Sequence, residues 1–202
     1  NFNTMSKLLT GKQIRSDKDL IKLYHSKHRY IWTAVYDILK FENLLFKLAG
    51  NKEIINVAKK ADIKNPIFGT KPYVRVDMPN DPKYMFKAHQ DYPYNRNSKN
   101  SIVIFIPLQK CLKKNGCLSI VKGSHKAKKV FSMDKKMIIK NNKRFKFTDV
   151  PLNFGEAVVF SQFLVHKSGY NLSDTVRFSV QLRLTDLAQK EYAKRGYFIV
   201  KS

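Results

Sequence analysis

Residues 85–95 read "MFKAHQDYPYN" and place His89 and Asp91 two positions apart. In an extended chain, residues i and i+2 point to the same side, so an imidazole and a carboxylate would be presented together, with Gln90 turned away or edge-on. Two ligands do not fix a metal ion. His166 is the best third candidate, because it ends the apolar stretch "AVVFSQFLV", where a polar side chain is costly unless it is used. Two histidines and one carboxylate on one face of an ion leave three adjacent positions open. That set is diagnostic of non-haem Fe(II) centres.

The segment "TVRFSVQLRL" (175–184) supplies a second chemical group. Its alternation puts Arg177, Ser179, Gln181 and Arg183 on one face and Phe178, Val180, Leu182 and Leu184 on the other. A polar face can simply meet solvent. Yet Arg177 follows His166 by eleven residues across one turn, which in a closed sandwich sets a guanidinium beside the metal mouth. Arginine makes bidentate, charge-assisted bonds to carboxylates. A dicarboxylate could therefore chelate iron at one end and pair with Arg177 at the other.

These groups need a scaffold. Residues 17–50 show three-to-four spacing of Leu20, Leu23, Tyr24, Ile31, Val35, Ile38 and Leu39 and read as helices, started by Ser16 or Asp17 and closed by Gly50. A shorter helix is expected over 51–63. From residue 70 the pattern turns to strands. "PYVRVD" (72–77) alternates, with Tyr73, Arg75 and Asp77 on one face. "SIVIFIPL" (101–108) is apolar on both faces and should be a buried strand. "GCLSIV" (116–121) and the start of "GEAVVFSQFLVHKSGYN" (155–171) complete a set of short, Gly/Pro/Asn-punctuated strands. This spacing predicts a sandwich or jelly roll. The stretch 125–147 is too basic and irregular for a core and reads as an inserted loop. His25 and His28 read as surface residues.

The chain resembles the phytanoyl-CoA hydroxylase family of Fe(II)/2-oxoglutarate dioxygenases. The matching residues are "HQD" (89–91), "NGCLSIVKGSHK" (115–126), "GEAVVF" (155–160) and "HKSGYN" (166–171), with Arg177 after them, over roughly residues 70–185. The resemblance implies one dioxygenase domain over 1–202: a helical part (1–69), a double-stranded β-helix (jelly roll, cupin-like) core (70–185) with a basic insert (126–150), and a tail (186–202). It implies iron held by His89, Asp91 and His166, and 2-oxoglutarate held at its distal carboxylate by Arg177. Gln90, Ser168 and Ser179 fall near the cosubstrate in this reading. Phe105 stands where the family often carries Trp. Tyr73 reaches toward the cosubstrate, and Arg75, Tyr92 and Arg183 toward the substrate. Strand-edge packing and a surface ion pair are the alternative for Tyr73 and Arg75. His125 in "GSHK" reads as part of the turn rather than as a ligand. The implied reaction uses O2 and 2-oxoglutarate, releases succinate and CO2, and hydroxylates an unactivated C–H. Halogenating members replace the carboxylate ligand with Gly or Ala; Asp91 is retained here.

Composition bounds the partners. The 202 residues carry 39 Lys+Arg against 15 Asp+Glu, a net charge of +24. Eight of the basic residues are Arg, and the charge is spread along the chain rather than clustered with stacking aromatics. That pattern argues against nucleic acid and leaves a small-molecule substrate as the expected partner. The segment from Lys126 to Lys146 holds eight Lys and Arg144 against Asp134. It is expected to cover the pocket and to favour an anionic substrate. Two other readings stay open. One is a nucleic-acid demethylase of the AlkB type, which "RFSVQLR" (177–183) would fit; the other is a non-catalytic jelly roll that binds polyanions. Cys111 and Cys117 are too few for a disulfide framework and read as half-buried thiols in a reducing, cytoplasmic setting. No apolar run approaches the roughly 20 residues of a membrane helix. The chain opens on Asn1 without a basic-then-apolar signal segment, compatible with a processed or truncated start.

Overall fold

Ser16 accepts a hydrogen bond from the Asp19 backbone N–H (3.3 Å) and so satisfies one of the free donors that open a helix. This cap starts α1 (Asp17–His25), which is followed by α2 (Arg29–Leu39), α3 (Asn43–Ala49) and α4 (Lys52–Lys60). Gly50 closes α3 through its N–H to the Phe46 carbonyl (2.9 Å), and Asn51 caps α4. The computed structural model describes residues 3–4, 7–8, 11, 13–27, 29–83, 85–95, 97–126, 128–131, 139 and 145–190. His28 lies outside them; His25 is exposed, as expected. The helical periodicity picks out Leu20, Tyr24 and Ile31, which are buried, but Ile38 is 43% exposed and the fully buried Trp32 replaces it. Trp32 stacks on Tyr36 one turn later, and that aromatic pair sets the inward face of α2.

The strands follow as β1 (Pro66–Phe68), β2 (Tyr73–Asp77), β3 (Ser101–Pro107), β4 (Leu118–Ile120), β5 (Thr148–Val150), β6 (Val158–Ser161), β7 (His166–Lys167) and β8 (Arg177–Asp186), with a short helical turn α5 (Tyr92–Asn95) between β2 and β3. One antiparallel sheet runs β1-β8-β3-β6, with β2 also on β8; the other runs β5-β4-β7. The sheet thus begins at Pro66, before the expected boundary at 70. The basic insert also ends earlier than 150, because Thr148–Val150 pairs with β4.

Alternation divides each central strand between two compartments. Val74 and Val76 of β2, Ile102 and Ile104 of β3, and Val180, Leu182 and Leu184 of β8 join Leu20, Tyr24, Trp32, Ala49, Ala58 and Ile63 of the helical part in one core. Val103 and Phe105 on the other face of β3 pack with Leu118, Leu152, Phe160 and Leu164, which closes one end of the space between the sheets. This explains why "SIVIFIPL" carries no polar face: each side of β3 meets its own apolar layer. Arg177, Ser179, Gln181 and Arg183 therefore face the second sheet, not solvent.

Two glycines let the segments flanking β4 and β7, neighbours in the second sheet, approach closely. Gly116 has φ +77°, and a Cβ there would lie 2.8 Å from the Gly169 carbonyl; a Cβ on Gly169 would lie 2.6 Å from the Gly116 carbonyl carbon. Only glycine fits both positions. The contact seats residues 168–170 against the start of β4, beside His166.

Cys111 and Cys117 are free and fully buried rather than half-buried. Burial pushes the Cys111 thiol up to about 11. No helix among the described residues is long and apolar enough to cross a membrane.

Candidate metal centre

His89 and His166 form an isolated antiparallel bridge, exchanging both backbone bonds: His89 N–H to His166 O (2.9 Å) and His166 N–H to His89 O (3.0 Å). Directly paired residues carry their side chains on the same side. The two rings accordingly meet with centroids 4.2 Å apart. Asp91 joins them, and one ligand atom from each of the three lies within 4.8 Å of the others. All three residues are buried. The backbone differs from the expected strands in two places. Only His89 is in a bridge; Asp91 leads into α5, so the pair converges through a bridge and a turn rather than one strand. His166 opens β7 in the second sheet instead of ending β6, after a turn at 162–164.

Each imidazole is oriented for ligation. His89 Nδ1 lies 2.7 Å from the Lys87 carbonyl, and His166 Nδ1 lies 3.0 Å from the Leu164 carbonyl. A carbonyl only accepts, so each Nδ1 holds the proton and each Nε2 keeps its lone pair. Burial, then the neighbouring His89, pushes the His166 imidazole down to about 4. It is neutral near pH 7, as a metal ligand must be. Asp91 Oδ1 lies 3.5 Å from His89 Nε2 and 3.9 Å from His166 Nε2, while Oδ2 accepts from Arg183 Nε (2.9 Å). Burial opposes ionisation of Asp91, but the Arg183 guanidinium, joined by the imidazoles only when they are protonated, outweighs it and holds the carboxyl well below the usual carboxylate range. Two imidazole nitrogens and one anionic oxygen converging in a buried site fit a divalent first-row metal.

The lowered His166 value has a consequence for stability. Between about 4 and 6.5 the unfolded chain binds a proton that folded His166 refuses, so unfolding gains with falling pH. Thermal melts of the metal-free protein should show Tm rising with pH across that window. His166→Gln should flatten the rise.

The trio forms part of the lining of a cavity of about 350 Å³. Of the other residues singled out from sequence, Arg177, Ser168, Phe105, Tyr73, Arg75 and Arg183 also line it. Arg75 and Arg177 share the buried Asp77: Arg75 Nη2 to Oδ1 at 2.5 Å and Arg177 Nη2 to Oδ2 at 2.6 Å. This is a buried ion triad, not the surface ion pair considered for Arg75. Arg75 Nη1 also donates to Ser168 Oγ (3.2 Å), which ties β2 to the segment after His166. The Arg177 Nε–H is buried with no oxygen or nitrogen acceptor, beside the Cys111 thiol. Burial works against the Asp77 carboxylate, and the two guanidiniums reverse the balance and hold its pKa low.

Three nominated residues do not line the cavity. Gln90 points to the opposite side: its Nε2 donates to the Phe163 (2.7 Å) and Lys129 (3.1 Å) carbonyls, and its Oε1 accepts from Phe131 N–H (2.9 Å). Its position between two ligands fixes the basic segment instead of a cosubstrate. Ser179 lies on the interior face of β8 but is fully buried opposite Arg75. Tyr92 stacks on Phe163 at 4.4 Å, in the packing of α5. His125 lies in the turn after β4 and is no part of the trio. Of the basic insert, Lys135, Lys136, Lys140, Lys143, Arg144 and Asp134 lie outside the described residues. Ile139 within it is buried, and its N–H donates to Ala88 O (2.8 Å), so the insert is not wholly outside the core.

Sequence reasoning missed Asp77, Lys71, Phe86 and Gln181. Asp77 and Gln181 share alternating faces with Arg75 and Arg177, so the signal was present. Lys71 and Phe86 reach the cavity from loops, where no periodicity marks direction; Tyr94 and Asn95, in the segment 92–95 expected to shape the pocket, line it.

The epimerase SnoN, solved in complex with Fe3+, α-ketoglutarate and nogalamycin RO, matches with a TM-score of 0.65 at 17% identity, over 82% of this chain and 69% of that one. A second SnoN structure, described as a non-haem α-ketoglutarate-dependent epimerase from nogalamycin biosynthesis, gives 0.59 at 21% over 74% and 59%. EctD from S. alaskensis with 2-oxoglutarate and 5-hydroxyectoine gives 0.60 at 15% over 70% and 51%. The chain thus spans little more than half the length of the last two. The two antiparallel sheets with their helices fit the cupin-like fold of these proteins. No curated protein sequence matches the chain. A family model described as phytanoyl-CoA dioxygenase (PhyH) matches residues 18–179, which hold the metal trio and Arg177. On that match the chain belongs to the phytanoyl-CoA dioxygenase family.

Proposed function

We propose that the protein is an Fe(II)/2-oxoglutarate-dependent oxygenase with a double-stranded β-helix core. It hydroxylates an unactivated C–H of a small anionic molecule, turning 2-oxoglutarate and O2 into succinate and CO2. The observation that carries this reading is the convergence of His89, Asp91 and His166 in one cavity with Arg177. Fe(II) with 2-oxoglutarate, when bound, supplies the oxidising chemistry; the chain binds, orients and shields. His89 and His166 offer Nε2 because carbonyls hold their Nδ1 protons, and Asp91 offers Oδ1. Arg177 and Arg75, both on the cavity lining, offer the cationic end for a dicarboxylate. Phe105 and Leu118 exclude water from that end of the cavity. Tyr73, whose hydroxyl accepts from Tyr36 (3.1 Å), narrows the same wall. The two buried free thiols support a reducing compartment such as the cytoplasm.

The test is spectroscopic. Fe(II) and 2-oxoglutarate added anaerobically should give the weak visible metal-to-ligand charge-transfer band. Its absence would defeat the proposal.

An anionic substrate is supported by the cavity's own charge. Its lining carries Lys71, Arg75, Arg177 and Arg183 against Asp91, with Asp77 paired behind the two inner arginines. The charges of an Fe(II) ion and a 2-oxoglutarate dianion offset each other, so the excess positive potential remains for the substrate. Lys71 is the exposed member, at the rim. Lys71→Gln should raise the substrate KM about two- to fivefold at low salt with kcat unchanged, the size expected of one solvated charge pair. The difference should vanish at high ionic strength. Succinate release is the assay, and a KM that stays put at low salt would remove the argument for an anion.

A further inference from the structure

Arg183 touches the metal trio, yet not as a ligand. Its Nε donates to Asp91 Oδ2 (2.9 Å), and Nη2, on the same edge of the guanidinium, donates to Gln181 Oε1 (2.9 Å). Both residues stand on the interior face of β8, paired to β3 at Val103 and Phe105. The guanidinium plane is therefore set by the central pair of the larger sheet. Asp91 has no such support of its own, because it lies between an isolated bridge and a helical turn. Its carbonyl caps that turn, accepting from the Tyr94 and Asn95 N–H groups (3.1 and 3.2 Å), which leaves the side-chain torsion to be fixed from outside. Among the described residues, Arg183 is the one cationic side chain paired with Asp91 apart from the two imidazoles.

A carboxylate near a metal ion can offer one oxygen or two. Here the two oxygens are already divided: Oδ1 faces both Nε2 atoms, and Oδ2 is committed to Arg183. We infer that Arg183 is a positioning residue that keeps Asp91 a one-oxygen ligand and so preserves an exchangeable coordination position beside it. The inference rests on the metal reading above and gives Arg183 a role other than substrate contact. Three open positions are what the reaction class requires: two for the chelating keto acid and one for O2. If Oδ2 were released to bind the ion as well, one of the three would close. A role through charge alone, or through substrate contact alone, would leave the number of open positions unchanged.

The test counts waters on a bound ion with no turnover involved. Mn(II) is titrated into the full-length chain, and water-proton relaxivity per bound ion reports its exchangeable waters. The parent should hold three, and Arg183→Met about two, a fall of roughly one third. Mn(II) affinity should be equal or higher in that variant, since a repelling cation is gone and a second oxygen is free. Arg183→Lys, which keeps a cationic donor on Oδ2, should restore the parent relaxivity. Truncation leaves Asp91, whose side chain is 4% exposed, without its guanidinium until the ion binds, so the comparison is made on the Mn(II)-loaded proteins; Arg183→Ala carries the same expectation should the Met variant not fold. Equal relaxivity per ion in the parent and in the Met or Ala variant overturns the inference and leaves the metal reading intact. A parent that binds no Mn(II) overturns both.

Discussion

Asp91→Ala should abolish the anaerobic charge-transfer band and weaken Fe(II) binding by more than about 100-fold. Loss of an outer-shell partner alone costs 10- to 100-fold in metal affinity, which sets the floor for losing a ligand itself. The geometry explains why no neighbour can compensate. Asp91 is the trio's single acid, and Asp77, which lies behind the two inner arginines of the cavity, has both oxygens engaged by Arg75 and Arg177. The fold should survive. Arg183 loses its carboxylate but keeps Gln181 and partial access to the cavity, so its charge is not stranded in a dry core. Titration with Fe(II) and a thermal melt separate the two effects. A variant that retains the band would mean that Asp91 is not a ligand, and the proposed function would fall with it.

The convergence of His89, Asp91 and His166 is legible because its signal is one of residue type at fixed spacing, and spacing survives errors in secondary structure. His89 and Asp91 were paired by a strand argument, yet they meet through a bridge and a turn. His166 was placed at the end of one strand and opens another. Neither error displaced the three side chains, since the His89–His166 backbone bridge does the aligning and no local pattern announces it. Alternation gave the interior face of β8 correctly, but it could not say whether that face met solvent or the second sheet. That depends on how β4 pairs with β7, a strand only two residues long and too short for any periodicity to mark. Gln90 shows the limit of position-by-position resemblance. Lying between two ligands, it still points away, because three backbone groups from residues 129, 131 and 163 capture its amide. Ile38 and Trp32 make the same point for the helices: period alone gave an apolar stripe, and ring stacking chose which edge of it turned inward.

Asp77→Asn and Arg177→Met should give opposite patterns, and together they separate support from binding. Asp77 neutralises two guanidiniums that are themselves 3% and 2% exposed. Removing its charge leaves Arg75 and Arg177 facing each other in a buried site, and breaking a buried pair this way costs about 3–5 kcal/mol. For a chain of this size that corresponds to a Tm lower by about 6–20 °C. Cosubstrate affinity should be unchanged or higher, because Arg177 no longer shares its Nη2 with a competing carboxylate and the incoming dicarboxylate supplies the missing negative charge. Adding Fe(II) and 2-oxoglutarate should then recover more Tm in the Asn variant than in the parent. In Arg177→Met, Asp77 keeps Arg75 as its partner, so the stability loss is smaller. Yet two charge-assisted bonds to the distal carboxylate are gone, worth about 100-fold or more in 2-oxoglutarate affinity. Melting curves with and without ligand, beside a titration of the charge-transfer band, read both quantities. Should Asp77→Asn lose cosubstrate affinity as steeply as Arg177→Met, Asp77 would have to orient Arg177 rather than compete for it.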